Sequence, residues 1–406
     1  MSPLPTQYHA TMARPFIDDL PELLDAVNDE MVDLRHDLHA HPELSFEEHR
    51  TTAVVKERLV SLGFELRPCP TETGAVARLV GGARGKSVMV RADIDGLPVT
   101  EERTLSYVSK HEGVMHACGH DVHTASLLGV AGLLVRRRDE LAGEFTLLFQ
   151  PAEEVIGGAK AMIAGGVLDD NPVDFVIGVH VTSLAPVGLV ATRSGIMMSD
   201  GQTLSVHVEG RGGHGAMATT DGNVVLAVSH LAPRLASVVE GLSYDGTDCA
   251  CSAGVLKAGT ANNVVPRHAL LRGTLRTFTP DQKTQALLRL RDLLVEVDSI
   301  FGVHCALELN ETTPAVKNDA EVVASVVASV ARVVGNDSVT TFPPVTPSDD
   351  VSEFLERVPG CYLFVGGALA DGTSGDHHAP DFAVDDRACR VAAGILAASA
   401  VDLARS

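Results

Sequence analysis

Three short apolar segments, separated by segments with helical spacing, constrain the fold of this chain more than any other feature. They cover residues 88–90, 145–149 and 175–179, and residues 124–137 and 158–163 between them have the apolar spacing of helices. Parallel strands need long crossover connections, which are usually helices. The alternation therefore predicts an α/β fold with a mostly parallel sheet.

Polar residues that can bind ligands follow each of these segments. The first segment runs into Asp93, the second into Glu153 and Glu154, and the third into His180. In open α/β sheets, ligands and catalytic groups collect at the carboxyl ends of the strands. We therefore expect these side chains to converge on one site.

The middle of the chain has a different order of elements. The predicted elements are strands at residues 203–208, 251–257, 269–278 and 303–309 and helices at residues 223–239 and 281–300. This βαββαβ order is typical of a ferredoxin-like module. We predict a catalytic domain made of residues 1–197 and 312–406, interrupted by an inserted α+β domain at residues 198–311.

The composition disfavours several classes of function. The formal net charge of −21, without a basic stripe, disfavours binding to nucleic acid. No apolar segment approaches the roughly 20 residues that span a bilayer, and residues 1–14 lack the pattern of a secretion signal. The 7 cysteines lack a disulfide framework spacing. We expect a cytoplasmic protein that binds neither nucleic acid nor membrane.

Metal-binding residue types are densest just before the apolar segment at residues 124–137. The group contains His116, Cys118, His120, Asp121 and His123. A thiolate and an imidazole two residues apart on a loop can reach one metal cluster. A single Cys or His is more often a core residue, but so dense a group favours a metal site.

Glu153 and Glu154 follow a proline at a predicted strand end, where neighbouring side chains diverge. One carboxylate can then bind a metal while the other transfers protons during hydrolysis. The alternative is a solvated acidic helix start. His180 alone could be a core histidine, and nothing local decides whether His377 or His378 binds a metal.

Together these segments resemble the N-acyl amino acid amidohydrolases among the metallopeptidases, the family of hippurate hydrolases and auxin-conjugate hydrolases, which also includes aminoacylase-like enzymes. The matching motifs lie at residues 34–44, 91–98, 118–121, 151–154, 178–180, 212–214, 263–266 and 378–380. The resemblance spans nearly the whole chain. It implies a zinc-exopeptidase-like catalytic domain with an inserted ferredoxin-like domain that forms a lid and dimer contacts.

The resemblance also implies a role for each site residue. Two divalent metal ions would be held by Cys118, His120, Glu154, His180 and His378, with Cys118 bridging the ions. The family pattern thereby favours His378 over His377. Glu153 would be the general base, and Asp93 would orient a ligand imidazole. Zinc or manganese is expected, with cobalt or nickel as alternatives.

The inserted domain gains a role from the same resemblance. His214 would reach the active site of the partner subunit in a homodimer or higher homo-oligomer and hydrogen-bond the developing oxyanion. Asn263 and Arg276 would hold the substrate carboxylate. Without the resemblance, these residues read as an ordinary turn His, a turn Asn and an exposed strand Arg.

Two segments depart from the family pattern. Residues 348–352 read Ser-Asp-Asp-Val-Ser where Ser-Glu-Asp-Phe-Ser is usual, and residues 217–219 read Met-Ala-Thr in place of a Met-Pro-His-like stretch. We expect these changes to affect the preference for the acyl group or the lid side of the pocket rather than the chemistry.

The predicted function is metal-dependent hydrolysis of an N-acyl-L-amino acid, hippurate-like or N-acetylated, to a carboxylate and a free amino acid. A carboxypeptidase or dipeptidase on the same scaffold differs only in the acyl group. A thiol hydrolase would use Cys118 as nucleophile and His120 as its base. A binding protein without turnover is the remaining alternative.

Overall fold

The structure is a computed structural model that describes residues 15–406. The prediction that residues 1–14 carry no secretion signal lies outside the described residues. The helices are α1 (Phe16–Ala40), α2 (His49–Ser61), α3 (His120–Val135), α4 (Gly158–Ala164), α5 (Val167–Asp170), α6 (Val224–Leu231), α7 (Pro280–Phe301), α8 (Ala320–Val334), α9 (Ser352–Leu355) and α10 (Arg387–Arg405). The strands are β1 (Glu65–Arg67), β2 (Ala75–Val80), β3 (Ala83–Asp93), β4 (Ala142–Gln150), β5 (Phe175–Pro186), β6 (Val190–Ala191), β7 (Gly195–Met198), β8 (Asp200–Glu209), β9 (Gly213–His214), β10 (Ser243–Tyr244), β11 (Thr247–Asp248), β12 (Ala250–Ala258), β13 (Val264–Val265), β14 (His268–Thr277), β15 (His304–Thr313), β16 (Val316–Asn318), β17 (Val339–Thr340) and β18 (Gly360–Ala368).

The large sheet has the strand order β1-β2-β4-β3-β5-β18-β6-β17. At its centre, β3 runs parallel to β4 and β5, and β18 runs parallel to β5. The predicted α/β fold with a mostly parallel sheet is confirmed. The antiparallel strands β1, β2 and β6 were not predicted, because short strands toward the margins of a sheet need no long continuous apolar segment.

Helix α3 lies in the core of the large domain, between α1 and α10 and against β3. Every residue from His120 to Leu134 is buried, as expected for a helix that is apolar all round. Small residues allow this packing: a Cβ on Gly129 would lie 2.6 Å from the Met31 sulfur. Within residues 15–406, no helix is both long and apolar enough to cross a bilayer.

The smaller sheet is antiparallel throughout and has the strand order β12-β14-β8-β15. Helices α6 and α7 pack on it, and they share a core of their own with residues such as Val206, Leu231 and Leu290. The order of elements is ferredoxin-like. The predicted helix at residues 223–239 is broken: a 3-10 segment follows α6, because Pro233 cannot donate a backbone hydrogen bond. The domain bounds at residues 198 and 311 stay a prediction.

Helix α8 was not predicted from the sequence. Its seven valines favour a strand by intrinsic propensity. The helix forms because Asp319 caps its first turn, accepting backbone N–H groups of Glu321 at 2.9 Å and Val322 at 3.0 Å, and because its apolar side packs against α10.

Candidate metal centre and active site

Three neighbouring strands carry predicted site residues to one region of the large sheet. β3 ends at Asp93, β4 ends shortly before Glu153, and β5 carries His180. The expectation that His180 ends its strand is wrong, since β5 continues to Pro186. Its pairing with β3 stops at Gly178, and beyond that point β18 continues to pair with it.

Cys118 and His120 lie at the amino terminus of α3. His120 is the first residue of the helix rather than part of a loop, which corrects the sequence interpretation. Gly119 between them has φ of +92°, and a Cβ there would lie 2.4 Å from a Val181 methyl carbon. The turn that directs both side chains to the sheet edge therefore needs glycine.

The structure brings all five predicted metal ligands together. The Cys118 sulfur lies 3.4 Å from His180 Nε2. One Glu154 oxygen lies 3.8 Å from His120 Nε2, and the other lies 3.5 Å from His378 Nε2. Two overlapping groups share Cys118: one with His120 and His180, the other with Glu154 and His378.

Two atoms of this cluster have no hydrogen-bond partner among the described residues although they are buried. They are His120 Nε2 and Glu154 Oε1, which face each other. Unpaired polar atoms are costly in a protein interior, and a cation bound by both would remove that cost. The sulfur, imidazole and carboxylate donors are those that divalent transition metals prefer, so the residues fit a metal centre.

Hydrogen bonds fix two of the ligand imidazoles. His120 Nδ1 donates to the backbone oxygen of Asp95 at 3.0 Å and lies 3.2 Å from the Asp95 carboxylate. His180 Nδ1 donates to the Val181 carbonyl at 2.7 Å. In each ring Nε2 is left to face the cluster. Asp95 also accepts the Glu154 N–H at 3.0 Å. It was not predicted as a site residue from the sequence, although it stands two residues after Asp93.

Asp93 contacts a histidine that was not a predicted ligand. His123 Nδ1 donates to Asp93 at 2.5 Å, and His123 Nε2 accepts the Val181 N–H at 2.8 Å. His120 Nε2 lies 3.8 Å from Asp93, without a hydrogen bond. Burial opposes ionisation, but His120 and Arg91 hold the pKa of Asp93 well below its usual value. Asp93 therefore remains a carboxylate that orients His123.

The two neighbouring histidines of the C-terminal loop face different parts of the cluster. His378 faces Glu154, and its backbone has φ of +65°, a conformation that is costly for a residue other than glycine. A hydrogen bond from its N–H to the Ala117 carbonyl at 2.8 Å holds it there. His377 instead lies with Nδ1 at 3.8 Å from the Cys118 sulfur.

Glu153 is buried among other carboxylates. One of its oxygens lies 4.0 Å from His120 Nε2, and it shares a cluster with Asp349 and Asp350. Burial and then Asp349 raise the pKa of Glu153 well above its ordinary value, and burial raises the pKa of Glu154 to about 7. This crowding of carboxylates is suited to a site that binds cations or holds a proton.

The buried guanidinium of Arg91 lies beneath the carboxylates, and the sequence did not predict it as a site residue. Arg91 donates to Asp93 at 2.7 Å and to Asp350 at 3.0 Å, and it lies 3.2 Å from Asp349. Asp349 also accepts the Tyr362 hydroxyl at 2.6 Å. Asp349 and Asp350 of the departing segment at residues 348–352 therefore lie beside Glu153 and pair with Arg91, a placement that sequence spacing could not indicate.

The cluster opens into a cavity of about 1020 Å³. Glu153 and Arg276 both line it, together with apolar side chains that include Leu184, Phe342 and Phe364. A largely apolar cleft with a few polar groups is the usual form of a small-molecule site. The space is sufficient for a substrate of several functional groups.

The three predicted residues of the middle segment divide between two locations. Arg276 lines the cavity and donates a hydrogen bond to Ser348. His214 and Asn263 are exposed, on or beside the paired strands β9 and β13, and neither is among the described residues that line the cavity. Met217 of the departing segment at residues 217–219 is also exposed.

The fold and this cluster define a hydrolase of the metallopeptidase type, and comparison with known sequences gives its family. Residues 89–402 match Peptidase family M20/M25/M40, so the chain belongs to that family. The family resemblance and the expectation of an enzyme that hydrolyses amide bonds are confirmed.

Individual relatives match nearly the whole chain. The N-acetyl-L-cysteine deacetylase of Bacillus subtilis (strain 168) is 35% identical over 382 residues, 94% of this chain and 89% of that protein. Thermostable carboxypeptidase 1 of Saccharolobus solfataricus is 35% identical, over 90% of this chain and 93% of that protein. A crystal structure of Bacillus subtilis YXEP, described as a dinuclear metal binding peptidase of the M20 family, matches with a TM-score of 0.78 and 30% identity, over 93% of this chain and 98% of that one.

Proposed function

We propose that this chain hydrolyses the amide bond of N-acyl-L-amino acids, releasing a carboxylate and a free amino acid. The observation that carries the proposal is the cluster of five metal-ligand side chains, four of which line a cavity together with Glu153 and Arg276. A carboxylate base, a cluster of metal ligands and a cation for the substrate carboxylate are the groups that this reaction needs.

Two divalent ions would be held by Cys118, His120, Glu154, His180 and His378, and the relative described as dinuclear supports that number. Zinc and manganese are the proposed metals, with cobalt and nickel as alternatives. When bound, the ions supply Lewis acidity toward the carbonyl and lower the pKa of water. Cys118 must lose its proton to bind them, since burial raises the pKa of the free thiol.

Glu153 is the proposed general base and acid. Its carboxylate takes a proton from water and returns it to the leaving nitrogen. Burial and then Asp349 raise its pKa above the ordinary value, the direction that makes the carboxylate a better proton acceptor. Arg276 would bind the substrate carboxylate with two parallel hydrogen bonds, aided by Asn263. His214 would donate to the developing oxyanion.

The proposed assembly is a homodimer in which His214 and Asn263 reach the cavity of the partner subunit. Both residues are exposed and lie away from their own cavity, which supports a role across an interface. All 7 cysteines are free, which supports a reducing compartment and therefore a cytoplasmic location.

A second candidate function, cleavage of peptides by a carboxypeptidase or dipeptidase, is supported by the carboxypeptidase from Saccharolobus solfataricus. Both reactions need Arg276 for the terminal carboxylate. They differ in whether the acyl group carries a charged amine. Phe342 and Phe364 of the cavity wall favour an apolar acyl group, whereas Asp376 of the same wall favours an amine.

A thiol hydrolase is less favoured by the surroundings of Cys118. Burial, followed by the negative charge of Glu154, raises the pKa of the free thiol, whereas reactive cysteines need a positive environment that lowers it. Covalent acylation of Cys118 by substrate would instead support this alternative. A fully metallated protein that turned over no amide in a broad panel would support a binding protein.

The deciding experiment is a screen of metal-free protein supplemented with zinc, manganese, cobalt or nickel. N-acetyl amino acids, hippurate and dipeptides vary both ends of the substrate. We expect turnover of N-acyl amino acids, loss of activity with chelator and recovery with added metal. Dipeptide hydrolysis without N-acyl amino acid hydrolysis would reverse the assignment.

A further inference from the structure

His377 has no role in the function proposed above, yet its ring lies against the metal-ligand cluster. It is half-buried, with its ring centroid 5.4 Å from that of His180 and 4.8 Å from that of Phe382. Because two aromatic neighbours hold the ring, each of its two nitrogens faces a definite partner, which can be read from the structure.

The backbone of β5 fixes which nitrogen carries the proton. The N–H of Ser183 points at His377 Nε2 from 3.3 Å. An amide N–H can only donate, so Nε2 must accept, and the proton of the neutral ring is then on Nδ1. His123 is held in the same way, since it accepts the Val181 N–H at 2.8 Å through Nε2 and donates to Asp93 through Nδ1.

The protonated nitrogen of His377 faces the sulfur of Cys118. The distance from Nδ1 to Sγ is 3.8 Å, which is long for an N–H···O bond but is within reach of the larger sulfur atom. When Cys118 binds metal it is a thiolate, and a hydrogen bond to an ionised acceptor is stronger than one to a neutral group.

We infer that His377 is a positioning residue that donates an N–H···S hydrogen bond to the Cys118 thiolate and so sets how much charge the sulfur gives to the metals. This inference rests on the proposed metal site. A hydrogen bond to the sulfur lowers its donation to the metal and holds its side chain in place, as outer partners of ligands do elsewhere. His377 would thus act on the metals without binding them.

Three variants separate the two hydrogen bonds of the ring. His377→Asn keeps an N–H donor at the Nδ1 position and loses the acceptor for Ser183. His377→Gln can still accept from Ser183 but has no donor near Nδ1. His377→Phe keeps the ring shape and loses both hydrogen bonds, so it controls for packing.

The measurements are the absorption spectrum of the cobalt-substituted enzyme and its cobalt affinity at fixed pH. A thiolate that loses its hydrogen bond is a stronger electron donor, so its charge-transfer band should move to lower energy in His377→Gln and His377→Phe and stay near the wild-type position in His377→Asn. We expect roughly 10- to 100-fold weaker cobalt binding in His377→Gln and His377→Phe, because the loss of positioning of the Cys118 side chain outweighs the stronger electron donation of its sulfur. Circular dichroism checks that each variant is folded.

Two results would overturn the inference while leaving the metal site intact. One is a wild-type band position in folded His377→Gln, and the other is an equal shift in His377→Asn and His377→Gln. A wild-type enzyme that binds cobalt without any thiolate band, or binds no cobalt, would overturn the proposed Cys118 site itself, so the two failures are distinguishable.

Discussion

The metal-ligand cluster and the small four-stranded sheet contribute to the proposed active site in opposite ways. Cys118 and His120 of the cluster are buried while His378 is exposed, and hydrogen bonds hold each ligand imidazole that reaches the cluster from β5 or α3. His214 and Asn263 beside the small sheet are exposed, and the described cavity does not include them. The proposed metal half of the site is thus preorganised within one subunit, whereas the proposed oxyanion half would depend on a second chain.

The largest expected effect tests the buried half. Glu153→Gln should keep the metals but lower kcat by about 10²- to 10⁴-fold, because the amide cannot take or return a proton. Steady-state kinetics and metal analysis measure the two properties separately. Glu57→Gln, an exposed change on α2, is the matched control. Near-normal turnover in Glu153→Gln would remove Glu153 as the base.

The next effect tests the exposed half. His214→Ala should lower kcat by about 10²- to 10³-fold, the cost of losing one donor to an oxyanion. Mixing this variant with Glu153→Gln under exchange conditions should restore about a quarter of the wild-type activity, because half of the dimers are mixed and each has one complete site.

The mixing experiment also has an outcome that would contradict the proposal that His214 acts in the site of the partner subunit. If His214 serves its own subunit, each mixed dimer contains two defective sites and mixing restores nothing. Light scattering at the assay concentration reports whether the protein is a dimer at all.

A smaller effect is expected at Arg276, which lies at the boundary between the two halves. Arg276→Lys should raise KM by about 10- to 100-fold with little change in kcat, since one ammonium replaces a bidentate guanidinium. Arg272→Lys, four residues earlier on β14 and exposed, is the control. An equal fall in kcat would instead assign Arg276 to the transition state.

The smallest effect concerns pH. In metal-free protein the pKa of Glu154 is about 7, against an ordinary value of 4.5, so the folded state binds this proton more tightly than the unfolded state. The stability that results is present below about pH 4.5 and is lost as pH rises to about 7. Thermal melts should show this loss relative to Glu154→Gln, and added metal should reverse it. Parallel melts of the two metal-free proteins would contradict the expectation.

The sequence by itself predicted the elements that depend on local patterns. The apolar segments before Asp93 and Glu153 became β3 and β4, and the alternating order gave the parallel sheet. Cys118 and His120 stood out because their residue types and spacing carry metal chemistry within a few positions. The apolar pattern of residues 281–300 likewise predicted α7. A capping box marks the start of this helix, and Gly302 follows its end.

Only the tertiary structure decided how distant residues meet. Asp95 fixes His120, Arg91 joins Asp93 to Asp350, and Ser183 fixes the tautomer of His377. Except for the link between Arg91 and Asp93, these contacts join residues far apart in the chain, so no periodicity reveals them. The strand that carries His180 continues past it for the same reason, since its partner β18 begins at residue 360. Local chemistry singled out Cys118, His120 and the neighbouring Glu153 and Glu154. The family resemblance was needed to favour His378 over His377, and the packing of distant strands determined what each residue faces.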